Sequence, residues 1–87
     1  MSSSPNPKIA HLIREVLPRR LHQIPLDESM CLQGDLGIDS IGLISLAFRL
    51  EEEFHIDLME SAEEVAKVQT IGDVQRLVYQ LAGGSVS

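Results

Sequence analysis

The sequence predicts a small all-α domain: a four-helix bundle of three longer helices and one short helix, with a long ordered loop between helices 1 and 2. Three observations predict it. Leu, Ile and Val recur at three- and four-residue spacing in four separate segments. Helix-start residues head those segments. The chain has 87 residues, 44% apolar but only 3% aromatic, which is room for one domain with one aliphatic core.

The first helix opens at Asn6-Pro7, a capping residue followed by proline at the first helical position. Ile9, Leu12, Ile13, Val16 and Leu17 share one face, and Pro18 ends the pattern. The connection from Pro18 to Ile38 is about twenty residues, a length that normally argues against an element assignment. Leu21, Ile24, Leu26, Met30, Leu32, Leu36 and Ile38 are spread along it, however, so it is expected to be pinned onto the core. The second helix should run from Asp39 to Phe54. A short third helix should start at Ser61, where Ser-x-x-Glu to Glu64 spells a capping box, and bury Val65 and Val68. The fourth starts at Thr70 with Asp73 in the matching position. Its stripe is Ile71, Val74, Leu77, Val78 and Leu81, and Gly83-Gly84 should stop it. Residues 1–5 and 83–87 are expected to be disordered tails around a domain of residues 6–82.

Thirteen acids against seven bases give a net charge of −6, which excludes nucleic acid as an expected partner. The charge is unevenly placed. Four bases and one acid fall between Met1 and Arg20; eleven acids and one base, Arg49, fall between Asp27 and Glu64. An acidic face of this kind either serves solubility or steers basic partners. Cys31 is the only cysteine, so no disulfide framework exists, and its neighbours Met30 and Leu32 predict a small buried hydrophobe. No apolar run approaches membrane length, and a cytoplasmic monomer without membrane insertion is expected.

The chemically specific segment is Gly34–Phe54. Asp39 is a good cap, which puts Ser40 at the first helical position beside unpaired backbone N–H groups. A phosphate on that hydroxyl would lie at the positive end of the helix dipole. Gly37 allows a tight approach just before the serine. The helix after Ser40 has two apolar stripes. Leu43, Leu46, Ala47, Leu50 and Phe54 form a core face. Ile41, Ile44 and Phe48 form a second strip, which either packs under the long loop or stays exposed for docking, flanked by Glu51, Glu52, Glu53 and Glu60.

Other chemistries fit less well. A hydrolase elbow needs glycine two residues before its serine, and Ile38 stands there. His11, His22 and His55 lack ligand spacing and read as exposed or capping groups; no metal site is expected. The run Glu51–Glu53 belongs to no calcium-loop pattern.

At these residues Asp35-Leu-Gly-Ile-Asp-Ser-Ile41 resembles the modification motif of acyl carrier proteins, usually written Asp-Leu-Gly-x-Asp-Ser-Leu. Leu50-Glu-Glu-Glu-Phe54 with Ile56 and Leu58 is similar to the end of the second helix in free-standing bacterial members. Lys67-Val-Gln-Thr-Ile71-Gly-Asp73 is similar to their third-to-fourth helix junction, so the resemblance spans roughly Lys8 to Leu81. It implies a non-catalytic carrier, not an enzyme. Ser40 would be esterified by 4'-phosphopantetheine from coenzyme A, through a phosphopantetheinyl transferase using magnesium, and Asp39 would be the motif acid beside it. The thiol of that group, rather than Cys31, would hold acyl intermediates for fatty acid, lipid or polyketide-type biosynthesis. Ile41, Ile44 and Phe48, with Glu51, Glu52 and Glu60 around them, would dock acyl-loading, elongating or acyl-transfer enzymes with basic or mixed surfaces.

The sequence also departs from the pattern. Gly42 and Ser45 stand where fatty-acid carriers place acids, Arg49 where a small neutral residue is usual, and Met59 where proline is common. These changes point to a specialised carrier. An aminoacyl or peptidyl carrier, or a cofactor-free helical adaptor of the same fold, remains the alternative.

Overall fold

The computed structural model describes residues 4–82. The expected tails and the Gly83-Gly84 stop therefore lie outside the described residues, apart from Ser4 and Pro5, and Pro5 is buried. Four helices follow one another: α1 (Pro7–Val16), α2 (Ser40–Phe54), α3 (Ala62–Lys67) and α4 (Ile71–Leu81). Short 3₁₀ turns occupy Arg19–Leu21 and Met59–Ser61. The described residues contain no strand, only an isolated antiparallel bridge between Cys31 and Thr70.

Each long helix starts on the signal its sequence carries. The Asn6 side chain accepts from the Lys8 and Ile9 N–H groups, with Pro7 just inside α1. Asp39 accepts from Gly42 N–H at the head of α2. Thr70 and Asp73 complete a reciprocal capping box on α4.

The apolar faces meet in one core. Ile9, Leu12, Ile13 and Leu17 come from the first helical segment, Leu46, Ala47 and Leu50 from α2, and Ile71, Val74, Leu77 and Val78 from α4. α1 and α2 run antiparallel, because Lys8 lies 3.9 Å from Glu53 and Glu15 lies 3.2 Å from Arg49. The left-handed backbone of His55 (φ 54°) terminates α2, its N–H returning to the Glu51 carbonyl.

The long loop contributes Leu26, Leu32, Leu36 and Ile38 to the core. Its backbone is tied to the start of α4: Leu32 N–H donates to Gln69 O, Ile71 N–H to Met30 O and Gly72 N–H to Glu28 O. Gln75, the buried polar side chain of α4, adds a cross-link the apolar pattern did not disclose. Its amide nitrogen donates to Glu28 (2.7 Å), and its oxygen accepts from the Asn6 N–H. A buried amide with both ends satisfied specifies where two distant segments sit.

α3 departs from expectation. The Ser61–Glu64 box does not form: Ser61 makes no side-chain cap bond, and its N–H is already taken by Leu58 O in the 3₁₀ turn. The cap lies earlier, where Asp57 accepts from Glu60 N–H at 3.2 Å. Val65 and Val68 are half-buried, so the short helix buries no residue fully.

Candidate functional site

Ser40 is the first residue of α2 and is exposed. The cap on Asp39 fixes the helix start at this residue: its Oδ1 accepts from Gly42 N–H at 2.8 Å, and its carbonyl accepts from Leu43 N–H at 2.9 Å. The N–H groups of Ser40 and Ile41 lie in the first turn, where a helix supplies no acceptor. An anion bonded to the Ser40 hydroxyl would therefore meet free donors and the positive helix end.

An open groove of about 540 Å³ begins at this serine. Leu32, Ile38, Leu43 and Val68 line it on the apolar side, Gln33 and Gln69 on the polar side. A phosphate-linked arm with amides and a methylene tail fits this setting. The hydroxyl is accessible, the donors are unclaimed by the helix, and the adjoining walls mix amide and aliphatic groups.

Two glycines shape the corner. Gly37 has φ +70°, and a Cβ there would meet nothing within 4 Å. Its role is thus conformational and not the close approach expected from sequence. Gly42 is the tight one: a Cβ would stand 3.0 Å from the Ile38 side chain and 3.3 Å from Asp39 Oδ1. Its missing acid is bound up with packing against a buried loop residue. Installing Asp there would disturb Ile38 and the cap together.

The second strip of α2 is open. Ile41 is 77% exposed, and Ile44 and Phe48 are about half exposed, so it does not pack under the loop. Glu52 and Glu60 are exposed. Glu51 has another job: half-buried, its carboxylate accepts from Leu58 N–H (2.8 Å) and Met59 N–H (3.2 Å), holding the turn that leads to α3. Arg49 is not a free charge either, since its guanidinium bonds Glu15 on α1.

Cys31 corrects a further expectation. Its thiol is exposed and lines the groove beside Ser40, while its neighbour Leu32 is buried. The bridge to Thr70 and the bond from its N–H to Asp35 (2.7 Å) fix the backbone so that Leu32 points inward and Cys31 outward. All three histidines are exposed. The His22 ring nitrogen lies 2.7 Å from Leu17 O at the end of α1, and His55 caps α2. Among the described residues no group of His, Cys, Asp or Glu is arranged to hold a metal ion, and no helix is long and apolar enough to cross a membrane.

A second, smaller cavity of about 20 Å³ adjoins the groove, sharing Leu43 and Val68 with it; it is wholly apolar and lined also by Leu46, Leu50, Val65, Leu77 and Val78.

Comparison with known proteins agrees with this geometry. The family described as "Phosphopantetheine attachment site" matches residues 7–78. An acyl carrier protein of Wolinella succinogenes is 37% identical over 68 residues, covering 76% of this chain and 87% of that protein. One from Clostridium acetobutylicum is 36% identical over 67 residues, covering 77% and 82%. With the match running from the first residue of α1 into α4, the chain belongs to the acyl carrier protein family, whose members carry a covalently attached 4'-phosphopantetheine.

Proposed function

We propose that Ser40 is the attachment residue and that the chain carries acyl groups for fatty acid, lipid or polyketide-type biosynthesis without catalysing a reaction itself. The observation that carries this reading is the exposed Ser40 hydroxyl at the capped start of α2, opening onto the groove. When bound, 4'-phosphopantetheine supplies a terminal thiol on a long arm, where acyl groups are held as thioesters. The protein's own part is mechanical. Asp39 fixes the helix start, Gly37 turns the chain into it, and the groove walls offer the arm a resting surface.

Ile41, Ile44 and Phe48 are the docking strip of this reading, with Glu52 and Glu60 as the flanking acids that steer basic surfaces on the transferase and on acyl-handling enzymes. Exposed apolar side chains rimmed by charged residues are a usual mark of a protein interaction surface. A cytoplasmic setting is part of the same reading, in keeping with the single cysteine.

The test is incubation with coenzyme A, magnesium and a broad-specificity phosphopantetheinyl transferase, followed by intact-mass spectrometry. The wild type should gain one phosphopantetheinyl group. Ser40→Ala should gain none while keeping its helical circular dichroism and melting temperature. Modification that persists in Ser40→Ala would place the site elsewhere.

A further inference from the structure

Between Pro7 and Leu26 the chain carries four bases and one acid, the reverse of the balance that follows. Most of these charges are committed. Lys8 lies 3.9 Å from Glu53, and Glu15 bonds Arg49 at 3.2 Å. Arg14 donates to the carbonyls of His22 and Ile24, 2.7 Å each. Arg19 and Arg20 remain. Both are exposed on the 3₁₀ turn, and neither enters an ion pair among the described residues.

The turn that presents them is fixed on several sides. Leu21 N–H donates to Pro18 O, and His22 N–H to Arg19 O. The Arg14 clamp holds the residues that follow, and the His22 ring closes on Leu17 O. Its place in the bundle follows from the antiparallel pairing of α1 and α2. Glu15 lies opposite Arg49, so α1 runs toward the start of α2. Leu17 and Pro18 then continue in extended conformation into the turn. Arg19 and Arg20 thus follow the end of α1 that points toward the start of α2, while Glu52 and Glu53 stand in the last turn of α2 and Glu60 just beyond it.

We propose that the Arg19–Arg20 turn is a second recognition surface, which engages an acidic patch on the enzymes that act on the carried arm. The proposal rests on Ser40 being the attachment residue. An enzyme that reaches Ser40 covers this end of the bundle, and two unpaired guanidiniums under its footprint select for carboxylates opposite them. The far end of α2 carries Glu52, Glu53 and Glu60, while the arginine pair accompanies the exposed acids Asp35 and Asp39 at the near end, so the two ends offer a partner different charge patterns. A reversed approach sets like charges together, so the pair fixes direction as well as attraction. Protein is favoured over a lipid surface. Two arginines without an apolar anchor hold an anionic membrane only marginally, and the domain's net charge of −6 opposes the approach.

The experiment compares the holo wild type with Arg19→Glu/Arg20→Glu, both checked for one phosphopantetheinyl group on Ser40 by mass spectrometry. An acyl-loading enzyme of the same host, chosen only because it uses the wild type, serves as the probe for binding and turnover. At low salt Kd and KM should rise about tenfold in the variant with kcat unchanged, and the difference should shrink as ionic strength is raised. Equal Kd and KM in a fully modified variant would overturn the proposal and leave the carrier assignment standing. Failure of Ser40 to take up the arm would sink both. Sedimentation of the wild type, but not the variant, with phosphatidylglycerol vesicles would overturn it in favour of a membrane. Self-association lost in the variant would overturn it in favour of a second copy.

Discussion

Only Val68–Thr70 separates α3 from α4, and both helices carry the same start signature, Ser61-x-x-Glu64 and Thr70-x-x-Asp73. On α4 the box closes completely, and five residues of the helix are buried. On α3 it does not close, and none is. The difference lies in what holds the cap residue from outside the helix. Thr70 is extended (φ −118°, ψ 167°), pinned by the Leu32–Gln69 and Met30–Ile71 backbone bonds, so its hydroxyl faces Asp73 N–H. Ser61 has ψ 39° and sits at the end of a 3₁₀ turn that already uses its N–H. Here the same signature closes where the cap residue is held in extended backbone and fails where it is not. It also follows that α3, whose Val65 and Val68 wall the small apolar cavity, is the wall held by the fewest buried groups.

The widest separation between the two helices should appear on truncating their apolar residues. Ile71→Ala removes a side chain with no exposure from the junction of α4, loop and core, and should cost about 2–5 kcal/mol in denaturant unfolding. Val65→Ala on α3 removes a half-buried side chain beside an existing cavity, and should cost less than about 1 kcal/mol. Equal losses would mean that α3 is as firmly packed as α4 and would break the comparison.

The caps sharpen it on a smaller scale. Thr70→Ala should destabilise by about 1 kcal/mol, because Asp73 N–H loses its acceptor. Ser61→Ala should leave the denaturation midpoint unchanged within experimental error, since its hydroxyl caps nothing. An equal loss from Ser61→Ala would show that its box forms in solution.

The same contrast explains what the sequence made legible. α1, α2 and α4 have starts written within four residues, at Asn6-Pro7, Asp39-Ser40 and Thr70 to Asp73, and their apolar faces follow from spacing alone. The second apolar strip and the position of Ser40 at a helix start were legible for the same reason, whereas spacing left open whether that strip is packed or exposed. The start of the α3 region was not legible: Asp57-x-x-Glu60 directly precedes Ser61-x-x-Glu64, and the two signatures compete there. The choice is made by Glu51, which reaches from α2 to the Leu58 and Met59 N–H groups. Gln75 was signalled as the one polar residue on the α4 stripe, at the position four after Ile71. What its amide binds was not, because Asn6 and Glu28 are 69 and 47 residues away. The orientation of Cys31 was hidden likewise: it depends on backbone bonds to Gln69 and Ile71, which no local pattern encodes.

The finest test concerns the Asp73 carboxylate, which has no counterpart at Glu64. It accepts first from Gln69 N–H (3.0 Å), then from Thr70 N–H (3.1 Å), and it pairs with the Arg76 guanidinium. The Gln69 bond is the largest influence. Together with the others it holds the carboxyl below its ordinary value, against the opposing push of partial burial. A carboxyl whose pKa is lower folded than unfolded stays ionised in the native state where the unfolded chain has bound a proton. Its stabilisation is complete above the unfolded value, about 3.9, and is lost as pH falls from there through the lower folded value. Asp73→Asn should therefore lower stability at neutral pH and flatten the decline below about pH 4 relative to wild type. Glu64→Gln should leave stability at neutral pH unchanged, because no capping box forms at Ser61. Melting temperatures recorded from pH 7 to pH 2.5 check the pair. Parallel curves for wild type and Asp73→Asn would mean that the carboxylate's charge contributes nothing to the box, and that the Thr70 hydroxyl alone distinguishes the start of α4 from that of α3.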